Sequence, residues 1–217
     1  MRRLMFTGII KSLGTVKKIT QKSGDYKIYF TGNKVNWSEI SVGESIAVNG
    51  VCLTATKLYE DGFDADVSSE TINITTFSHI KESSIVNIEP SLSMGDKIGG
   101  HFVTGHIDCM AEIVSIKSDA RSTSIDIKVP SKFARFIAAK GSICVDGVSL
   151  TVNSIAGSTF NVYIIPHTAS ETIIGKYKLG DQVNIEVDMM ARYLERLIGK
   201  PNDGVITEEF LRDNGYE

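Results

Sequence analysis

The stretch VNGVCLT at residues 48–54 recurs almost unchanged as VDGVSLT at residues 145–151. Sliding the chain along itself by 97 residues aligns residues 7–89 with residues 104–186 without a gap. The other matched clusters are TG at 7–8 and 104–105, Phe63 with Phe160, and VNIE at 86–89 and 183–186. Matches that cluster at one offset indicate an internal repeat. We therefore expect a tandem duplication in which the Cys of the first copy is replaced by Ser in the second.

The duplication predicts two domains and a tail. We expect a first domain at residues 1–97, a second at residues 98–187 and a helical tail at residues 188–217. The junction falls within SMGDKIGG at residues 93–100, whose glycines leave the backbone free to turn.

Each half has the pattern of a small all-β domain. Val148, Leu150 and Val152 alternate with polar residues, which is the period of a half-buried strand. The pairs Asn49-Gly50 and Asp146-Gly147 are typical of tight hairpin turns. Other strands are predicted near residues 9–19, 26–31, 44–48, 63–68 and 85–89 with copies 97 residues on, and helical turns near 35–40 and 131–139. The predicted fold is two homologous six-stranded antiparallel Greek-key barrels in tandem plus a C-terminal helix, since closed barrels leave no exposed sheet edge.

The repeated strand presents a face of small polar side chains. Because side chains alternate along a strand, Leu53 should face the core while Cys52 and Thr54 point away from it. Ser149 and Thr151 should do the same in the second half. One interpretation is an ordinary solvated face. The other, favoured by two matched copies beside glycine turns, is a surface that accepts a flat ring system and binds its edges.

The tail predicts a helix at residues 189–198, with Asp188 as its N-cap and Gly199 and Pro201 after its end. Its apolar stripe consists of Met190, Tyr193, Leu194, Leu197 and Ile198. The stripe could pack on the chain's own barrel or against copies of itself, and we favour the second. A further short helix is predicted at residues 207–213.

The bulk properties exclude several classes of function. A net charge of -3, a pI of about 5.9 and the lack of a basic block argue against nucleic-acid and membrane partners. No apolar run approaches the ~18 residues of a membrane span, and MRRLMFTGIIK is too short in apolar residues for a signal peptide. Three cysteines without a CxxC motif indicate a cytoplasmic protein with free thiols.

Two histidines are candidates for acid–base chemistry. His101 and His106 lie in GGHFVTGHID at residues 99–108. An imidazole titrates near neutral pH and can act as an acid or a base, although each could equally be a hydrogen-bonded structural residue. Their spacing with Cys109 matches no standard zinc site, so we expect no metal.

Cys52 and Lys140 are candidate functional residues, but each could also have an ordinary structural or surface role. Cys52 could be a nucleophile or a small buried filler, and no Lys or Arg beside it in sequence would activate its thiol. Lys140 lies opposite Gly43 in the repeat, so it is either a surface lysine or a mark of asymmetry between the halves.

The ordered motifs resemble the riboflavin synthase family, of the α-chain type. They are MFTGII at 5–10, VNGVCLT, GGHFVTGHID, VDGVSLT and IIPHT at 164–168, and the likeness runs from Met5 into the tail. Residues 1–4 precede the usual MFTG start, so either Met5 initiates or a short extension exists.

The resemblance implies a cofactor-free transferase reaction in which two molecules of 6,7-dimethyl-8-ribityllumazine dismutate. One donates a four-carbon unit to the other, giving riboflavin and 5-amino-6-(D-ribitylamino)uracil in the last step of riboflavin biosynthesis. It also implies a homotrimer held by the tail helices. Its reaction site would lie between the first barrel of one subunit and the second barrel of a neighbour. Lumazine synthase is a further candidate partner, which would enclose the trimer.

The resemblance also assigns site residues. The contacts implied on the first barrel are Gly8, Ile9, Ile10, Cys52, Leu53, Thr54, Asp66, Val67, Ser68, Ser69, Glu70 and Thr71. Those implied on the second are Gly105, His106, Ile107, Lys140, Ser149, Leu150, Thr151, Ile165, Pro166, His167, Thr168, Ala169 and Ser170. The residues implied in the chemistry are His106, Cys52, Ser149 and Thr151, with His101, Asp146 and Asp188 in support. A hydroxyl, a thiolate or water could add at C7 of the acceptor.

The implied reaction accounts for the repetition of VNGVCLT as VDGVSLT with a Cys-to-Ser difference. Both copies would bind the same ring, while donor and acceptor roles require differences such as Cys52 against Ser149 and Ile9 against His106. Two alternatives stay open: a non-catalytic lumazine- or flavin-binding antenna of the same fold, and the flavin-binding barrel of a reductase. The second would need a nucleotide-binding βαβ domain, which the sequence does not predict.

Overall fold

The structure is a computed structural model that describes residues 5–22, 24–198 and Arg212. Within these ranges twelve antiparallel strands close into two six-stranded barrels. No helix in the described part of the chain is long and apolar enough to cross a membrane. The predicted helix at 207–213 lies outside the described residues except for Arg212, as do residues 1–4 and the expected helix end at Gly199 and Pro201.

The two barrels have equivalent strands in equivalent places. The first barrel contains β1 (Ser12–Lys22), β2 (Asp25–Gly32), β3 (Ser45–Val48), β4 (Val51–Tyr59), β5 (Gly62–Val67) and β6 (Ile85–Pro90) in the ring order β1-β2-β5-β4-β3-β6. The second contains β7 (Cys109–Asp119), β8 (Ser122–Lys128), β9 (Ser142–Val145), β10 (Val148–Ala156), β11 (Thr159–Ile164) and β12 (Gln182–Val187) in the corresponding order. The predicted all-β duplication is therefore confirmed.

Each barrel encloses its own apolar core. Val51, Leu53 and Ala55 of β4 are buried with Phe30 and Phe63, as the alternation predicts. Burying such side chains stabilises a barrel by about 1.5–3 kcal/mol for each large residue. The second core is formed in the same way by β7–β12.

Short helices complete the fold. The 3-10 turns Trp37–Glu39 and Ser131–Phe136 confirm two predictions. Four helical segments were not predicted: α1 (Ser69–Ile74), α2 (Pro166–Glu171) and the 3-10 helices Thr76–His79 and Ile173–Lys176 that follow them. They are too short for a recognisable apolar period, because a single turn offers almost no repeat.

The tail helix α3 (Met189–Ile198) confirms the predicted bounds, and Asp188 caps it by accepting the N–H of Met190 at 2.9 Å. Its apolar stripe is not covered by its own barrel, since Leu194, Leu197 and Ile198 are 51%, 72% and 80% exposed. That the stripe packs against copies of itself stays a prediction.

An approximate two-fold axis relates the barrels, because equivalent residues meet across their interface. Phe6 and Val103 exchange backbone hydrogen bonds of 2.8 and 3.1 Å. The hairpin turns also touch: a Cβ placed on Gly50, whose φ is +78°, would lie 2.7 Å from the backbone nitrogen of Gly147. Both turn glycines are therefore required by backbone conformation and by this close approach.

Two buried asparagines of the VNIE repeats fasten the barrels to each other. The side chain of Asn87 donates to the carbonyl of Asp146 at 2.8 Å and accepts the N–H of Ile173 at 2.8 Å. Asn184 makes the equivalent bonds to the carbonyl of Asn49 and the N–H of Thr76, at 2.9 and 2.8 Å. Each asparagine thus fixes the turn and a helix start of the opposite barrel.

Candidate functional site

The predicted face of small polar side chains exists on both barrels. On β4, Cys52 is half-buried and Thr54 exposed, while Leu53 points into the core. On β10, Ser149 is half-buried and Thr151 exposed in the equivalent places. One chain therefore carries two similar surfaces of hydrogen-bonding side chains: the Cys52 surface, with Cys52 and Thr54, and the Ser149 surface, with Ser149 and Thr151.

Each surface is completed by a loop from the other half. The carbonyl of Gly8 accepts the N–H of Ser149 at 2.8 Å, and the carbonyl of Gly105 accepts the N–H of Cys52 at 2.9 Å. This crossing was not expected from the resemblance, which grouped Gly8 with Cys52 and Gly105 with Ser149 as ligand contacts. It also explains why β1 and β7 begin three residues later than predicted, at Ser12 and Cys109, since the residues before them leave the barrel.

Glycine is required where these loops cross. Gly8 has a φ of +74°, and a Cβ on it would lie 2.6 Å from that of Ser149. Gly105 has a φ of +80°, and its Cβ would lie 2.5 Å from that of Cys52. An amino acid with a side chain would be strained by this left-handed backbone and would also clash at so short a distance, so only glycine fits.

Two buried glutamates, Glu89 and Glu186, hold these glycine loops in place. Neither was among the predicted site residues. Glu89 accepts the N–H and hydroxyl of Thr7, both at 2.7 Å, and the N–H of Gly8 at 3.0 Å. Glu186 accepts the same three groups from Thr104 and Gly105 at 2.6–2.9 Å. Burial raises the pKa of both carboxyl groups, while the hydrogen bonds from the loops act in the opposite direction. The repeated VNIE motif was the signal that could have found them.

His101 joins the Ser149 surface. Its Nδ1 lies 2.7 Å from the Ser149 hydroxyl, and its backbone N–H donates to the carbonyl of Thr7. Burial lowers the pKa of His101, and the negative charge of Asp188 partly opposes this. A neutral imidazole is therefore available to exchange a proton with the serine hydroxyl.

No histidine among the described residues bonds to Cys52 as His101 does to Ser149. Burial raises the pKa of its thiol, and the charge of Glu186 adds to this, while a hydrogen bond with Ser45 opposes it. The group is therefore a thiol at neutral pH rather than an activated thiolate. The two surfaces, alike in shape, differ in their chemistry.

His106 lies apart from His101, at the rim of a cavity of about 400 Å³ next to the tail helix. Ile107, Arg192 and Tyr193 line the same cavity. The charge of His106 helps to lower the pKa of Glu186 against the larger effect of burial. Among the described residues no group of three His, Cys, Asp or Glu side chains is placed to hold a metal ion.

Asp146 lies elsewhere, in the floor of a cleft of about 770 Å³ between the barrels. It accepts the hydroxyl of Tyr177 at 2.6 Å and the N–H of Asn184 at 2.8 Å. Asn49 occupies the equivalent turn of the first half, also with a positive φ, so these contacts give Asp146 a structural role.

The pKa of Asp146 leads to a prediction about stability. Burial raises it from 3.8 to about 7, so between these values the folded state holds a proton that the unfolded chain has released. Its contribution to stability is therefore complete below pH ~4 and lost as the pH rises to about 7. We expect Asp146→Asn to remove this loss, which is on the order of a few kcal/mol. Urea unfolding of both proteins between pH 4 and 8 measures it. Parallel stability–pH curves would contradict it.

The other predicted contacts divide between side chains that can meet a ligand and side chains that cannot. Leu53 and Val67 are buried in the core, so only their backbone is available. Leu150, the equivalent of Leu53, is half-buried and packs against the second core. The remaining predicted contacts are exposed or half-buried and include the starts of α1 and α2: Ile9, Ile10, Asp66, Ser68, Ser69, Glu70, Thr71, Ile165, Pro166, His167, Thr168, Ala169 and Ser170. Ser68 caps α1 through the N–H of Thr71 at 3.1 Å.

Lys140 lies at the edge of the second surface, where its Nζ donates to Asn153 at 3.4 Å. Its φ is +68°, and Gly43 takes the equivalent left-handed conformation in the first half. A lysine in this conformation costs about 1 kcal/mol that glycine avoids. The asymmetry noted in the sequence is therefore accompanied by local backbone strain.

Comparisons with known proteins agree with this geometry. The lumazine binding domain family model matches residues 7–91 and 104–188. A riboflavin synthase of Photobacterium phosphoreum is 42% identical, covering 98% of this chain and 99% of the relative. One of Bacillus subtilis is 38% identical, covering 98% and 100%. The crystal structures of LumP complexed with 6,7-dimethyl-8-(1'-D-ribityl) lumazine and with riboflavin match with TM-scores of 0.75 and 0.77. They are 25% and 26% identical and cover 84% of this chain and 98% of theirs. The chain therefore belongs to the riboflavin synthase family, built from two lumazine binding domains.

Proposed function

We propose that this protein catalyses the riboflavin synthase reaction, a dismutation of two 6,7-dimethyl-8-ribityllumazine molecules. The observation that carries this proposal is the pair of similar surfaces, equal in backbone but different at Cys52 and Ser149. Two copies of one substrate fit two copies of one surface, and unequal side chains allow one copy to give a four-carbon unit and the other to accept it.

The Ser149 surface carries the proton chemistry in this proposal. His101, neutral because burial lowers its pKa, would take the proton of the Ser149 hydroxyl or of a water held there. Asp188 would stabilise the imidazolium that results. Cys52, as a thiol, would donate a hydrogen bond to the ring on its surface, and Thr54 and Thr151 would fix the ring edges. Holding two rings in reacting geometry supplies up to ~7–11 kcal/mol in favourable cases.

The decisive test is incubation of the purified protein with 6,7-dimethyl-8-ribityllumazine. We expect two substrate molecules to disappear for each riboflavin formed, with one 5-amino-6-(D-ribitylamino)uracil released. An antenna protein is the second candidate, because LumP in the matched crystal structures binds the lumazine and riboflavin on the same fold. Tight binding without product formation would support the antenna and reject the enzyme.

The proposal includes a homotrimer held by the tail helices. The apolar stripe of α3 is exposed, and so are Thr54 and Thr151 on the two surfaces that carry Cys52 and Ser149. In such a trimer the α3 helices would pack together, and the reaction site would lie between the first barrel of one subunit and the second barrel of the next. Lumazine synthase remains a candidate for enclosing such a trimer, testable by co-elution of the two purified proteins.

We expect Leu197→Glu to dissociate the oligomer. Leu197 is 72% exposed on the stripe, and a charge there opposes burial against another helix. Leu179→Glu is the matched control, since Leu179 is 70% exposed but lies at the turn before β12, outside α3. Sedimentation analysis should give a trimer for the control and a monomer for Leu197→Glu. An equal mass for both variants would contradict the assignment.

A further inference from the structure

The loop that completes each surface is fastened by a carboxylate on the opposite barrel. Glu89 belongs to β6 of the first barrel and binds Thr7 and Gly8 through three hydrogen bonds of 2.7–3.0 Å. Gly8 then accepts the N–H of Ser149, which belongs to the second barrel. The chain of contacts therefore starts in one barrel and ends on the surface of the other.

The twin chain of contacts runs the other way. Glu186 belongs to β12 of the second barrel and binds Thr104 and Gly105 at 2.6–2.9 Å. Gly105 accepts the N–H of Cys52 at 2.9 Å, on the first barrel. Because the two chains of contacts are equivalent, each serves as the internal control for the other.

The loops specifically require a carboxylate. Each presents three donors and no acceptor to the glutamate: two backbone N–H groups and one hydroxyl. Only an ionised carboxylate offers two acceptor oxygens and no donor, while a carboxamide would turn an NH₂ group toward an N–H. Glu89 and Glu186 are only 3% and 4% exposed, and burying a charge so completely is unfavourable unless its hydrogen bonds are needed.

We propose that Glu89 is the positioning residue for the Ser149 surface and Glu186 for the Cys52 surface, each acting across the barrel interface. The expected effect of these glutamates on turnover rests on the proposed function. That each glutamate acts on the surface of the opposite barrel concerns the fold alone. Substituting either glutamate loosens the loop that the other barrel needs and leaves its own barrel's repeated strand in place.

Hydrogen–deuterium exchange of segments 48–54 and 145–151 tests the crossing directly. We expect Glu89→Gln to accelerate exchange at 145–151 by about tenfold, the effect of one lost hydrogen bond, and to leave 48–54 unchanged. Glu186→Gln should give the reverse. Glu112→Gln, an exposed glutamate on β7, should change neither segment. If the Gln variants fail to fold, Thr7→Val and Thr104→Val each remove the hydroxyl's bond to the glutamate and should show the same crossed pattern more weakly.

Turnover with the lumazine substrate separates this proposal from the proposed function. Both Gln variants should lose about 100-fold in kcat, because displacing a reacting group by about 1 Å costs that much, while Glu112→Gln keeps the wild-type rate. A wild-type protein that forms no riboflavin rejects the function but leaves the crossed exchange pattern testable. Three exchange results would overturn the positioning role: faster exchange in the repeated strand of the glutamate's own barrel, an equal change in both segments, or no change in either. Wild-type turnover in a Gln variant that shows the crossed exchange pattern would overturn it too.

Discussion

Ser149→Ala should lower kcat for riboflavin formation by about 100-fold or more and scarcely change stability. The hydroxyl is the partner of His101 at 2.7 Å, and removing a positioned proton donor or acceptor typically costs at least that factor. Ser149 is half-buried, and its N–H still bonds to the carbonyl of Gly8, so the loop contact remains. Steady-state kinetics together with thermal unfolding separate the two effects.

Ser154→Ala provides the matched control for this result. Ser154 lies on the same strand, five residues further on, and is exposed at the bulge of β10. Its removal should leave both turnover and stability near wild-type values. If Ser149→Ala loses stability in proportion to activity, or if the control loses as much turnover, Ser149 has no chemical role.

Asn87→Ala should destabilise the fold by about 2–4 kcal/mol, since it leaves buried hydrogen-bonding groups without partners. These are the carbonyl of Asp146 and the N–H of Ile173, both on the opposite barrel. The equivalent Asn184→Ala should cost a similar amount, because it frees the carbonyl of Asn49 and the N–H of Thr76. Urea unfolding measures both free energies.

The control for the asparagine variants is Asn73→Ala, at an exposed position of α1. It should change the free energy of unfolding by less than about 0.5 kcal/mol. The double variant Asn87→Ala, Asn184→Ala should weaken the coupling of the barrels enough to separate their unfolding transitions. Asparagine and control variants of equal stability would show that the barrels are held together mainly by other contacts.

The family resemblance identified residues that local patterns alone could not group. Cys52, Ser149 and the two histidines were named from the sequence, and the alternation of β4 and β10 put the first two on an outward face. Asp146 was also named, but it lies buried beside Tyr177 in the interface, because a turn residue next to a motif need not share its surface. Glu89 and Glu186 were missed although VNIE is repeated, since a buried carboxylate is unusual and strand periodicity carries no sign of its partner.

The sequence by itself determined the duplication, the two barrels, the outward polar faces and the tail helix, because each depends on periodicity or on repetition along the chain. The crossing of the loops was decided only by the tertiary structure. Gly8 and Ser149 are far apart in sequence, and the strand pattern is the same whichever barrel Gly8 contacts. The two-fold packing of the barrels sets that choice, because it brings each glycine loop against the opposite strand and each buried glutamate behind the loop.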